Sequence, residues 1–239
     1  MTTTHVAAPQ PAAPVASISI ARRMARFAHD FAFDSDDRAL AHKVRTCLFD
    51  CFAGAFASRD LPWSRQAIDY ALAMGNTGAS LIGHERTVSW AEAAFANASL
   101  AHGLVQEDMH TASVSHIGVV IIPTLLALGE RVHASGRDFL PATIVGYQVM
   151  ARLGRAVVNR DTARTFRPLG MTGAIAGAAA GARLCGLSED ETVSAIALAA
   201  NTVAGFNEWP RCGGNEMFFH PGFAARNAVT AVILAQLGA

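Results

Sequence analysis

Apolar residues recur at helical intervals along most of the chain. Between Ile18 and Phe31 they fall at Ile20, Met24, Phe27, Ala28 and Phe31, leaving Arg22, Arg23 and Arg26 for solvent. Asp34, Ser35 and Asp36 offer N-caps for a second helix through Ala57, with the face Leu40, Val44, Cys47, Leu48, Cys51 and Phe52. Pro62 opens a third from Trp63 to Met74, which Gly75, Asn76 and Gly78 end. Ala79 to Val88 is the one short extended candidate, and Ser89 caps a helix over Trp90 to Gly103. The apolar run from Ile117 to Leu128 is too short to span a bilayer, which needs about 20 residues, and predicts a buried helix instead.

The second half predicts helices over Arg137–Val158, Gly170–Leu184, Glu189–Ala204 and Phe223–Leu237. Polar breaks over Asn159–Pro168 and Gly205–Pro221 separate them, and Ser188 with Glu191 forms a capping box. Gly173, Gly177 and Gly181 recur every fourth residue, a spacing for close helix packing. These glycines follow no strand, so a dinucleotide-binding turn lacks its structural context. The fold class this pattern gives is all-α, a helical bundle.

Composition narrows the choice of partners. Hydrophobic residues make up 51% of the chain and charged residues 16%, with no net charge. No basic field exists to draw nucleic acid or an acidic membrane, and neither is expected as a partner. Cys47, Cys51, Cys185 and Cys212 are scattered without a metal-binding spacing. Residues 1–17 are rich in Thr, Ala and Pro and carry no apolar core beside a basic start. They read as a disordered tail on a cytoplasmic protein, before a single helical domain over 18–239.

Chemistry concentrates between Asn97 and Glu130. This stretch holds Glu107 and Asp108, the histidines His102, His110 and His116, and the hydroxyls Ser99, Thr111, Ser113 and Ser115. Polar groups enclosed by core helices are costly unless they satisfy one another or meet a ligand. His116 is the first candidate base: it stands at the start of an apolar helix, whose dipole disfavours imidazolium. Asp108 would orient a histidine or cap the turn before Ile117, and His110 and Thr111 are near enough in sequence to line the same pocket. A metal centre of Glu107, Asp108, His110 and His116 is the other use of these residues, but the expectation is no metal and no cofactor.

The order of Ala98–His102, Gln106–His110, His116 and Ile117–Glu130 resembles the MmgE/PrpD family, which includes 2-methylcitrate dehydratases, cis-aconitate decarboxylases and iminodisuccinate epimerases. The segments VRTCLFDCFAGAFAS and GYQVMARLGRAV also resemble family helices, and His220, Gly222, Ala225 and Asn227 match a late family loop. The resemblance implies a cofactor-independent lyase or isomerase that abstracts a proton next to a carboxylate of a small polycarboxylate. His116, Asp108 and His110 are then the catalytic candidates; Gln106, Thr111, Arg167 and His220 are the substrate-binding ones. Arg167 stands where the family commonly has a histidine, which suggests a carboxylate anchor. The chain departs from the family at Met217, where a lysine is usual, at Gln106 for aspartate, and at Ile117 for proline.

Family members are about twice this length, with an α+β lid domain that this chain does not match. The resemblance therefore implies a homodimer, or a hetero-oligomer with a lid-bearing chain as one half of a split enzyme. A non-catalytic helical subunit that stabilises a full-length relative is the alternative.

Overall fold

The structure, a computed structural model, describes residues 18–34 and 36–239. The tail expected at residues 1–17 lies outside the described residues, as does the cap candidate Ser35. Among the described residues eleven α-helices make the bundle: α1 (Ile20–Asp30), α2 (Arg38–Ser58), α3 (Pro62–Ala73), α4 (Trp90–Ala101), α5 (Gly118–Val132), α6 (Gly136–Val157), α7 (Arg160–Thr165), α8 (Pro168–Leu184), α9 (Glu189–Ala200), α10 (Trp209–Cys212) and α11 (His220–Gln236). The extended segment forms a minimal antiparallel hairpin, β1 (Ala79–Ser80) and β2 (Thr87–Val88). Asn97 fastens it to α4 by accepting from the Ile82 N–H at 2.8 Å and donating to the Ser80 carbonyl at 2.9 Å. Among the described residues no helix is long and apolar enough to cross a membrane.

The caps explain where helices start. Ser89 and Ser188 accept from the third residues of α4 and α9, and Ser188 with Glu191 closes the expected capping box. Asp37, rather than Asp34 or Asp36, caps α2. Two polar breaks are more ordered than the sequence pattern suggests. Asn159 builds its own capping box with Thr162 and starts α7, and α10 forms one turn behind Glu208. Both helices are too short to show an apolar period.

Helix α8 is the centre of the bundle, in contact with α5, α6, α9 and α11. Its glycine stripe sets these distances. A Cβ on Gly173 would lie 3.1 Å from Ala224 Cβ, and one on Gly177 would lie 2.7 Å from Ala228 Cβ, closer than real methyl contacts allow. The stripe lets α11 and α5 approach on two sides, so small residues fill a core that bulky ones would hold apart. Ile121, Ile122 and Leu125 on α5 are fully buried, each stabilising the fold by about 1.5 to 3 kcal/mol.

Candidate active site

Three segments distant in sequence meet at one end of α4. His102 follows the last turn of α4, and its position is fixed from behind. Ser58 donates to the Leu100 carbonyl at 2.5 Å, and Trp63 Nε1 donates to the Gly103 carbonyl at 3.0 Å. Gly103 packs so tightly on Ser58 that a side chain there would collide with it. The Trp63 ring stacks at 3.9 Å on Phe218, in the 3-10 turn that delivers His220 to the start of α11. Arg167 precedes α8, and its backbone N–H donates to the Gly205 carbonyl at 2.8 Å. One hydrogen-bonded bridge, Phe166 to Phe206, ties the two loops together.

The side chains that result form a chain of polar groups. Arg167 Nη2 donates to His102 Nε2 at 2.9 Å, while His102 Nδ1 faces Glu107 Oε1 in a very short contact. An arginine cannot accept, so His102 Nε2 must carry the lone pair and Nδ1 the proton. His102 is thereby neutral and held in one tautomer. Its side chain is fully buried and that of Glu107 is 1% exposed. Burial lowers the His102 pKa against the pull of Glu107, with Arg167 and His116 acting in the same direction as burial. Burial alone would raise Glu107, but the proton from His102 and the nearby histidines more than offset it, so its carboxyl stays below the usual range.

His116 approaches the same Glu107 oxygen, its Nδ1 at 3.3 Å but out of line for a hydrogen bond, and its side chain is 14% exposed. The rings of His102 and His116 lie 5.2 Å apart, nearly edge to face. Arg167 is buried, with the Trp209 ring 5.6 Å from its guanidinium carbon. His220 is buried against Gly205, and its Nδ1 has no hydrogen-bond partner. Burial, helped by the Arg167 charge, pushes its imidazole down to about 4.

Of the residues that the sequence points to, His116, Arg167 and His220 gather here. Asp108 and His110 do not. Both line a separate cavity between α2 and α6, and His110 Nδ1 is bonded to Ser113 Oγ at 2.8 Å. The loop between α4 and α5 is irregular, and Val105 and Val114 in it both take left-handed conformations, at φ 55° and 50°. That region is costly for β-branched residues, and successive side chains emerge to different sides. Gln106 lines a small recess beside α2 whose wall also includes Glu107, and Thr111 is exposed in a 3-10 turn. Met217 is buried in the turn before His220.

His102 and Glu107 are the residues that sequence reasoning left out of the site. His102 stands between Ala101 and Gly103, which is a signal for a buried polar role, whereas Glu107 lies between polar Gln106 and Asp108 and gives none; their partner Arg167 lies 65 residues beyond His102. His102, Glu107 and His116 also bring three potential metal-binding atoms within 4.8 Å of one another. A divalent cation there would have to displace the proton shared by His102 and Glu107 and stand beside the Arg167 charge. The donor set therefore suits the protonated network better than a metal, and the four-residue centre suggested by sequence is not assembled: Glu107 and His116 stand together, while Asp108 and His110 line a separate cavity.

The N-terminal domain of the MmgE/PrpD family matches residues 22–239. Among curated relatives, a cis-aconitate decarboxylase-like protein of Aspergillus oryzae is 31% identical over 82% of this chain and 42% of its own length. A cis-aconitate decarboxylase of Aspergillus terreus is 25% identical over 93% of this chain and 47% of its own. The chain spans under half the length of these relatives. With the helical architecture and the match across nearly all of the described residues, the chain belongs to the MmgE/PrpD family.

Proposed function

We propose that this domain serves a lyase-type reaction on a small polycarboxylate, in which a proton moves at a carbon next to a carboxylate. The observation that carries the reading is the buried Arg167–His102–Glu107 chain, with the partly exposed His116 on the same carboxylate. The names of the relatives, decarboxylases of a tricarboxylic acid, support the substrate class.

Each group has a role that follows from its surroundings. His116 is the proton acceptor, since it alone of the two imidazoles on Glu107 reaches solvent and keeps a nitrogen uncommitted. Glu107 stabilises the imidazolium formed on His116 and holds His102 in its tautomer. Arg167 anchors a substrate carboxylate, with its planar face covered by Trp209. His220, neutral at physiological pH and unpartnered at Nδ1, is a hydrogen-bonding group for the substrate that adds no charge.

The alternative of a non-catalytic subunit has one observation in its favour. Met217 is buried where the family resemblance leads one to expect lysine, and it offers neither charge nor proton. In either case the exposed Phe49 and Phe56 on α2 support association with a second chain, whether a copy or a lid-bearing partner.

The test is incubation with cis-aconitate and related tri- and dicarboxylates in D2O, followed by NMR for solvent deuterium at carbon or loss of a carboxylate. The proposal expects turnover that His116→Ala reduces by about two orders of magnitude or more. Failure to act on every acid, alone and with a full-length relative, would leave the subunit reading standing.

A further inference from the structure

A cavity of about 650 Å³ opens between α2 and α6 beside the loop that carries Asp108 and His110. That volume suits a small organic ligand. Its wall is apolar on both helices, through Leu40 and Val44 of α2 and Ile144 and Ala151 of α6. Three cations, Lys43, Arg152 and Arg155, also line it, and none of them makes an ion pair among the described residues. Arg152 is steadied by Gln148, whose side-chain oxygen accepts from Nε at 3.3 Å, and by Phe27, whose ring centre lies 5.1 Å from the guanidinium carbon.

The cavity also contains polar groups that the protein leaves unsatisfied. Asp108 Oδ1 and the Tyr147 hydroxyl are both buried, and neither has a well-formed hydrogen bond. They converge over Gly118, where any Cβ would strike both atoms. Buried polar atoms without partners are uncommon, and each calls for a physical reason. Asp108 and Tyr147 form part of the inner wall of the same cavity that the exposed, unpaired cations Lys43, Arg152 and Arg155 line, with apolar residues between them. We propose that this cavity is a binding site for an organic anion with an apolar body, its anionic head held by Lys43, Arg152 and Arg155. The site is separate from the His102–Glu107–Arg167 chain and does not rest on the reaction proposed above.

Octanoate and octyl phosphate serve as probes, each titrated calorimetrically into the intact protein; the tighter of the two identifies the preferred head group. Saturable one-to-one binding of at least one is expected, weakened at least tenfold by R152Q/R155Q and unchanged by His116→Ala. Octylammonium, with the same tail and opposite charge, is expected not to bind. Ala151→Phe, which fills the cavity, is expected to abolish binding while both arginines remain. No saturable binding of either anion, binding indifferent to R152Q/R155Q, or equal binding of octylammonium would each overturn the proposal.

Discussion

Glu107 and Asp108 are adjacent carboxylates on one loop, and they meet opposite environments. Glu107 turns inward to His102, His116 and the Arg167 charge beyond, and stays ionised despite burial. Asp108 turns towards the α2–α6 cavity, where burial pushes its carboxyl up to about 6; the Tyr147 hydroxyl pulls the other way, and Asp50 adds a like charge. The Asp108 backbone N–H, meanwhile, donates to Asp50 Oδ2 at 2.7 Å. Burial is common to both, so the deciding difference is whether a proton donor with a cation behind it is in reach. One carboxylate belongs to a closed polar chain and the other is buried beside the Tyr147 hydroxyl with no cation in reach, which is how neighbours in a sequence come to serve different sites.

Breaking the closed side has the largest expected effect. Glu107→Gln would leave Arg167 buried without its counter-charge, at a cost of about 3 to 5 kcal/mol. Urea unfolding would register this as a lower midpoint; an unchanged midpoint would mean that the chain contributes no stability. On the other side, Gly118→Ala would drive a methyl into Asp108 and Tyr147, and a loss of about 1 to 3 kcal/mol is expected in the same assay.

The smallest effect is also the most discriminating, because it concerns the sign of a slope. Asp108 titrates near 6 in the fold and near 3.9 in an unfolded chain. The folded state thus binds its proton more tightly, and the resulting stability is full below about pH 4 and lost as pH rises through 6. His220 slopes the other way, since its depressed pKa makes protonation favour the unfolded chain as pH falls from about 6.5 through 4. Asp108→Asn removes only the first slope. Relative to the wild type, the variant is expected to gain stability from pH 4 to pH 7; a constant difference would place Asp108 in an ordinary solvated setting.

Much of this arrangement was legible in the sequence. The apolar periods, Ser89, the Ser188–Glu191 box and the spacing of Gly173, Gly177 and Gly181 each act within one or two helical turns, so local pattern identifies them. His116, Arg167 and His220 were recognisable as polar residues at the starts of apolar helices. The division between Glu107 and Asp108 was not, because it is set by the tertiary partners each meets, His102 and His116 for one and α2 and α6 for the other. Short helices α7 and α10 escaped for want of length, and the role of His102 depends on an arginine brought in from another helix.

The account turns on His102 being neutral, with its proton on Nδ1 between Arg167 and Glu107. Nitrogen-15 NMR of the histidine side chains at pH 6.5, where a free imidazole is about half protonated, tests this most directly. The expected spectrum has His102 and His220 both neutral, His102 with the Nδ1-protonated pattern, and the His102 signal, assigned by its loss in His102→Gln, moves in Arg167→Lys. An imidazolium at His102, or a neutral ring protonated at Nε2, would contradict the hydrogen-bond chain on which the proposed site is built.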